Sequence, residues 1–302
     1  EHGAPVEFTD SPAEAQAAAR KGTTVATTDW RVAVSLADVQ VVIDATGSPE
    51  LGAVITMACI ERRKHIIMMN VECDVTVGPI LRRRAEEAGV IYSMGAGDEP
   101  AAIMELYRFA EALGFEVVAA GKGKNNPLDL DATPESLAAR AAERNMSAQM
   151  LCEFVDGSKT AIEMAAGSNA TGLVPDVRGM HGARATVADL RKVFCLSEEG
   201  GVLSRRGVVD FAIGVHPGVF LIVTTDSARL RDSLIQRDMG TGPNYCLFRP
   251  FHLCSIEVPL SAAQAGASVR MISKAPLRKG GSTVHGASEM MSMGAAAGFG
   301  DK

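Results

Sequence analysis

The sequence contains no C-x-x-C pair: its six cysteines (Cys59, Cys73, Cys152, Cys195, Cys246, Cys254) are scattered, several of them within apolar runs. Reduced thiols in a cytoplasmic protein are expected, with no zinc ribbon and no disulfide frame. No apolar run approaches the ~20 residues that cross a bilayer, so no membrane partner is expected. The opening residues, Glu1-His2-Gly3-Ala4-Pro5, offer neither a basic n-region nor an apolar h-region, which argues against a secretory signal. Positive charge is also short. Thirty Lys and Arg face 36 Asp and Glu, a net charge of −6 without the broad positive field that phosphate backbones require, so nucleic acid is excluded as a partner. Tandem repeats are absent. Also missing is the G-x-G-x-x-G turn that opens a dinucleotide-binding domain, and there is no initiator Met. The sequence starts within what reads as the middle of such a domain, and the expectation is a fragment, or a numbering, that omits an N-terminal strand and helix.

What is present is ample for two domains. The 302 residues exceed the size at which one hydrophobic core stops growing, and 47% hydrophobic with 22% charged residues lies in the globular range. Residues 12–21 read as a helix, and 39–47 (VQVVIDATG) as a buried parallel strand ending in a glycine turn. A helix over about 50–62, a strand at 65–70, a helix at 78–88 and a strand at 90–93 continue the alternation, which argues for a parallel sheet covered by helices. Beyond about 113 the pattern becomes α+β: a strand at 115–120, a polar Gly/Lys/Asn loop at 121–127, a helix near 134–144 and strands near 151–155 and 218–225. A long helix is expected to break near 264–267. The expected organisation is a nucleotide-binding domain over 1–120, a catalytic and dimerisation domain over 121–262, and a C-terminal segment over 263–302.

In open α/β sheets ligands collect at the carboxyl ends of parallel strands. The candidates are Thr46-Gly47-Ser48-Pro49, Asn70-Val71-Glu72 and Gly95-Ala96-Gly97-Asp98-Glu99-Pro100. At the first, small residues let a cofactor approach the backbone, and the helix after Pro49 offers unpaired N–H groups. A plain βα turn with a capping Ser is the competing reading. Recurrence of polar, Gly-rich ends on three strands favours a crevice that holds cofactor at Thr46, Gly47, Asn70, Gly95 and Gly97.

The pieces VVIDATGSPELG, KHIIMMNVECD and YSMGAGDEPAA resemble the nucleotide-binding domain of homoserine dehydrogenase-like NAD(P)-dependent oxidoreductases. The pieces AAGKGKNNPLD, EFVDGSKTAIEMAAGSNATGLVPDVRGMHG, GVVDFAIGVHPGVFLIVTTD and YCLFRPFHLCSIEVPLS resemble the 1-deoxy-D-xylulose 5-phosphate reductoisomerase-like (DRL) enzymes. The similarity covers most of residues 38–262. It implies a Rossmann-type α/β fold, incomplete at its start, an α+β catalytic domain and a short SAF-like appendage beginning at 275–281. It also implies a cytoplasmic homodimer that uses NADPH to isomerise and reduce a phosphorylated sugar in isoprenoid biosynthesis.

That chemistry needs a Lewis acid on the carbonyl, a clamp for the phosphate and a proton donor for the alkoxide left by hydride. Asp98 and Glu99, joined by Glu72, either hold Mg²⁺ or Mn²⁺ or merely cap the helix near Pro100. Lys122, Lys124, Asn125 and Asn126, punctuated by Gly121 and Gly123, read as a phosphate clamp or as a solvated loop, and either lysine is a candidate general acid. Lys159, after Asp156-Gly157-Ser158, is a substrate contact or a hairpin-tip residue in water. Glu163, Asn169 and His181 lie in a Gly-containing stretch rich in polar groups; His181, between Met180 and Gly182, is an acid–base candidate set against an ordinary structural histidine. Residues 245–253 read as a segment that packs back onto the first domain. Two other classes remain open: a dehydrogenase of another small hydroxy substrate, which needs no metal, and a non-catalytic sugar-phosphate sensor.

Overall fold

The computed structural model describes residues 5–124, 126–215 and 217–274. The chain divides into two compact units, one running through Gly95 and resuming at Ser255, the other formed by Ala96–Cys254. The boundary expected near 120 falls inside a strand of the second unit, so the division moves to 95/96, and the C-terminal return begins at Ser255 rather than at 263.

The first unit alternates β1 (Val6–Phe8), α1 (Pro12–Arg20), β2 (Thr24–Ala26), α2 (Trp30–Ser35), β3 (Val41–Asp44), α3 (Pro49–Glu61), β4 (His65–Met68), α4 (Val71–Ala88) and β5 (Tyr92–Met94). β1 pairs with β2, and β3, β4 and β5 form a second sheet in that order; every pairing is parallel. This is the expected Rossmann-type α/β architecture. Helices start where the sequence supplies a cap: Ser11 and Ser48 each accept the N–H three residues on, with proline in the first turn. α4 begins at Val71, a full two turns before position 78, because Asn70 caps it; Pro79 then lies inside the helix.

The second unit contains α5 (Glu99–Ala112), β6 (Glu116–Lys124), α6 (Pro134–Glu143), α7 (Ala148–Val155), α8 (Ser158–Thr171), β7 (Val174–Pro175), α9 (Leu190–Val193), β8 (Val208–Ile213), β9 (Val219–Thr224), α10 (Ala228–Ile235) and β10 (Tyr245–Arg249). Its sheet is mixed, in the order β10-β9-β6-β8-β7, with β9 antiparallel to both neighbours. One side of the sheet carries Ala120, Val209 and Leu221 against Ala102, Ile103 and Met164 of α5 and α8; the other carries Ala119 and Phe220 against Leu190 and Phe194.

Three expected elements differ. Residues 121–124 continue strand β6 because β8 and β9 pair with it on both sides, so polar Gly-Lys composition does not make a loop here. Residues 151–155 are helical: Ser147 caps α7, and Leu151, Cys152 and Val155 bury one helical face. Residues 245–249 are edge strand β10, and the return to the first sheet is made by α11 (Val258–Lys274), which runs through 264–267 and buries Val258 and Ala265 against Ile67. The SAF-like segment lies outside the described residues. Among the described residues no helix is long and apolar enough to cross a membrane.

Candidate active site

In the first unit the ends of β3, β4 and β5 lie side by side, and Asn70 ties two of them. Its side-chain oxygen accepts the Cys73 N–H (3.0 Å), while Nδ2 donates to the Ser48 carbonyl (2.8 Å), the Thr46 hydroxyl (3.2 Å) and buried Asp44 (3.3 Å). α3 approaches closely: a Cβ at Gly52 would fall 2.5 Å from Asp44 Oδ2 and 2.6 Å from Asn70 Nδ2. Gly47 turns the chain with φ of +68°. Gly95 follows β5 and donates to the Met68 carbonyl (2.9 Å). Four of the five expected cofactor residues, Thr46, Gly47, Asn70 and Gly95, thus stand at neighbouring strand ends; Gly97 belongs to the second unit, with φ of +85°.

The second unit holds the densest charge. Ala120 of β6 faces α5 and α8, and the period of two along a strand puts Lys122 and Lys124 on that same side. Lys122 Nζ donates to Glu99 Oε1, in the first turn of α5, and to Glu163 Oε2 of α8; all three side chains are buried. Glu163 reaches the site because α8 turns Thr160, Glu163, Met164 and Gly167 inward at helical spacing. Asp98, the N-cap residue of α5, makes no capping hydrogen bond; its carboxylate is buried and Oδ2 has no hydrogen-bond partner. One oxygen each of Asp98, Glu99 and Glu163 lies within 4.8 Å of the others. His252 Nε2 is 3.4 Å from Glu99 Oε1, and Cys254 Sγ is 3.5 Å from His252 Nδ1.

Burial and crowding of like charge separate the protonation states. Burial, then Glu99 and Glu163, push the Asp98 carboxyl well above the carboxylate range. Burial and Glu99 lift Glu163 to about 7 in spite of the Lys122 ammonium. Glu99 feels burial too, but Lys122, joined by His252 when that ring is protonated, outweighs it and holds it below its ordinary value. Burial works against the Lys122 charge, yet Glu163 and Glu99 keep the ammonium above its usual range. Lys124 Nζ donates to the Phe154 carbonyl (2.6 Å), and burial and Lys122 lower its affinity for a proton. Burial pushes the Cys254 thiol up to about 12.

Of the expected chemical residues, Lys122, Glu163, Asp98 and Glu99 come together, and Lys159, in the first turn of α8, acts electrostatically on Asp98 and Glu163. Glu72 lies in the first turn of α4, in the other unit, and the carboxylate grouped with Asp98 and Glu99 is Glu163. The clamp does not form as read. Lys122 is neutralised by two carboxylates, Asn126 is half-buried, Asn125 lies outside the described residues, and Gly121 serves packing, since a Cβ there would meet the Asp210 carbonyl at 2.3 Å and the Phe220 ring at 2.7 Å. Asn169 is exposed; six residues beyond Glu163 on α8, it points away from the inward face. His181 belongs to a loop-tying network: its Nε2 meets Asp176 (2.9 Å) and its backbone N–H donates to buried Asp210 (3.0 Å). His252 and Cys254 lie in the segment YCLFRPFHLCSIEVPLS, whose resemblance marks the family but not their pairing, because their partner Glu99 is remote in sequence.

Residues 97–258 match the family model described as the catalytic domain of oxidoreductase DRL, and residues 5–95 match the NAD-binding domain of homoserine dehydrogenase. The two matches meet where the chain divides. Comparison with curated proteins gives no match. Among solved structures, an oxidoreductase domain protein from Kribbella flavida is 22% identical over 51% of this chain and 45% of its own, with a TM-score of 0.32. An NAD binding oxidoreductase from Klebsiella pneumoniae is 22% identical over 42% of this chain and 35% of its own (TM-score 0.30). A levoglucosan dehydrogenase in complex with NADH and L-sorbose is 25% identical over 43% of this chain and 35% of its own (TM-score 0.29). The matched part is therefore less than half the length of each of these structures.

Proposed function

Because the chain belongs to the DRL oxidoreductases and carries a homoserine dehydrogenase-type NAD-binding domain, we propose that it uses NADPH to rearrange and reduce 1-deoxy-D-xylulose 5-phosphate to 2-C-methyl-D-erythritol 4-phosphate, a step of isoprenoid biosynthesis. The observation that carries this reading is buried Lys122 set among Asp98, Glu99 and Glu163 within the matched catalytic domain.

The donor set fits Mg²⁺ or Mn²⁺: three buried carboxylates supply hard oxygens within 4.8 Å, and Asp98 Oδ2 is unpartnered. Asp98, Glu99 and Glu163 would hold the ion, which when bound supplies Lewis-acid polarisation of the ketose carbonyl and its neighbouring hydroxyl. Lys122 Nζ donates the proton that the alkoxide needs after hydride addition. Glu163, lifted to about 7 while no ion is bound, can give and take protons at neutral pH only where it does not ligate the metal. Glu99, held ionised, keeps the ammonium in place. Lys159, whose charge acts on Asp98 and Glu163, and half-buried Asn126 are the proposed contacts to the substrate phosphate. Thr46, Gly47, Asn70, Gly95 and Gly97 are the proposed cofactor contacts, and a homodimer, checked by light scattering, belongs to the same proposal.

A second reading, a dehydrogenase acting on another small hydroxy substrate, is favoured by the Lys122–Glu163 pair, which is complete for proton transfer without a metal. Incubating the protein with NADPH, Mn²⁺ and 1-deoxy-D-xylulose 5-phosphate separates the two. Loss of NADPH absorbance with formation of the branched product is expected. An unrearranged reduced product supports the second reading, and unconsumed NADPH overturns the first.

A further inference from the structure

Cys254 lies in the left-handed region without being glycine, with φ of +45°, and its N–H donates to the Gly97 carbonyl at 2.9 Å. This conformation places Sγ 3.5 Å from His252 Nδ1, on the side of the ring away from Glu99, while Nε2 faces Glu99 Oε1 at 3.4 Å. A neutral imidazole carries its proton on one nitrogen, and the partner of the other nitrogen decides which. A thiol S–H toward Nδ1 makes that nitrogen the acceptor and leaves the N–H on Nε2, directed at the oxygen of Glu99 that also receives Lys122.

We infer that Cys254 and His252 are positioning residues: Cys254 fixes the Nε2–H tautomer of His252, and His252 thereby sets the Glu99 carboxylate that holds Lys122. A thiol contributes nothing here as a nucleophile. It acts as a donor of fixed direction, in the way an outer hydrogen bond orients a ligating or catalytic histidine. The link from Cys254 to catalysis rests on the Lys122 cluster being the reaction centre; the link from Cys254 to the tautomer does not.

The test compares Cys254→Ala, which removes the donor, with Cys254→Ser, which keeps one. Nitrogen NMR of the full-length, isotope-labelled protein reads the tautomer of His252, assigned by the signal lost in His252→Gln, and needs no substrate. Nε2–H is expected in the wild type and in Cys254→Ser, with a mixed or reversed tautomer in Cys254→Ala. In turnover, Cys254→Ala should lower kcat about 10-fold or more with little change in KM, and Cys254→Ser should restore it. An unchanged tautomer in Cys254→Ala overturns the inference even where no turnover is seen. So does a changed tautomer with unchanged kcat, or equal loss in the two variants.

Discussion

Replacing Glu163 by Gln keeps the side chain's size and removes its titration, which makes the pH dependence of the buried cluster measurable. In the unfolded chain this carboxyl ionises near its ordinary 4.5, and in the folded protein near 7. Between those values the folded state holds more protons than the unfolded, so the free energy of unfolding falls as pH rises and the loss is complete above about 7. At 1.36 kcal/mol per pH unit the contribution amounts to about 3 kcal/mol. Denaturant titrations at about pH 5 and about pH 8 should therefore show the wild type losing roughly that much more stability than Glu163→Gln over the same interval. In turnover, kcat should fall about 10²–10⁴-fold in the variant. A metal-free variant whose stability falls with pH as steeply as the wild type's would refute the protonation assignment.

Asn70→Ala should cost about 1 kcal/mol of stability through loss of the α4 cap and weaken NADPH binding measured by fluorescence titration, because the Thr46 and Ser48 contacts go with it. An unchanged NADPH affinity would remove Asn70 from the cofactor site. Activity should vanish with EDTA and return with Mg²⁺ or Mn²⁺, and Asp98→Asn should abolish turnover with little loss in Tm, since Asp98 makes no capping bond. Chelator-resistant turnover with an active Asp98→Asn variant would shift the assignment to the metal-free dehydrogenase.

The first unit was legible because its elements are local. Apolar runs such as 41–44 and 65–68 make buried parallel strands, and Ser48 and Asn70 announce the helices that follow. The second unit was legible where hydrophobic runs are long, as at β9, and misread where tertiary pairing overrides composition. Lys122 looks like a loop lysine until β8 and β9 close on β6 from both sides. The five apolar-rich residues 151–155 fit a strand or a helix equally by periodicity, and the Ser147 cap, a single residue, decides. Lys122, Glu99 and Glu163 were each visible as candidates, but their pairing comes from β6, α5 and α8 meeting, which no local pattern encodes.

The proposed chemistry of the second unit rests on Lys122, so Lys122→Met is the most direct test. NADPH affinity is read by fluorescence titration, and hydride transfer to 1-deoxy-D-xylulose 5-phosphate in a single turnover by loss of reduced-nicotinamide absorbance. Because the substitution leaves Glu99 and Glu163 buried without their cation, circular dichroism and Tm must first show a folded protein, with a stability loss of about 3–5 kcal/mol expected. The expected result is near wild-type NADPH affinity with hydride transfer slowed at least about 10²-fold. Hydride transfer at the wild-type rate in folded Lys122→Met would contradict the assignment of this cluster as the reaction centre.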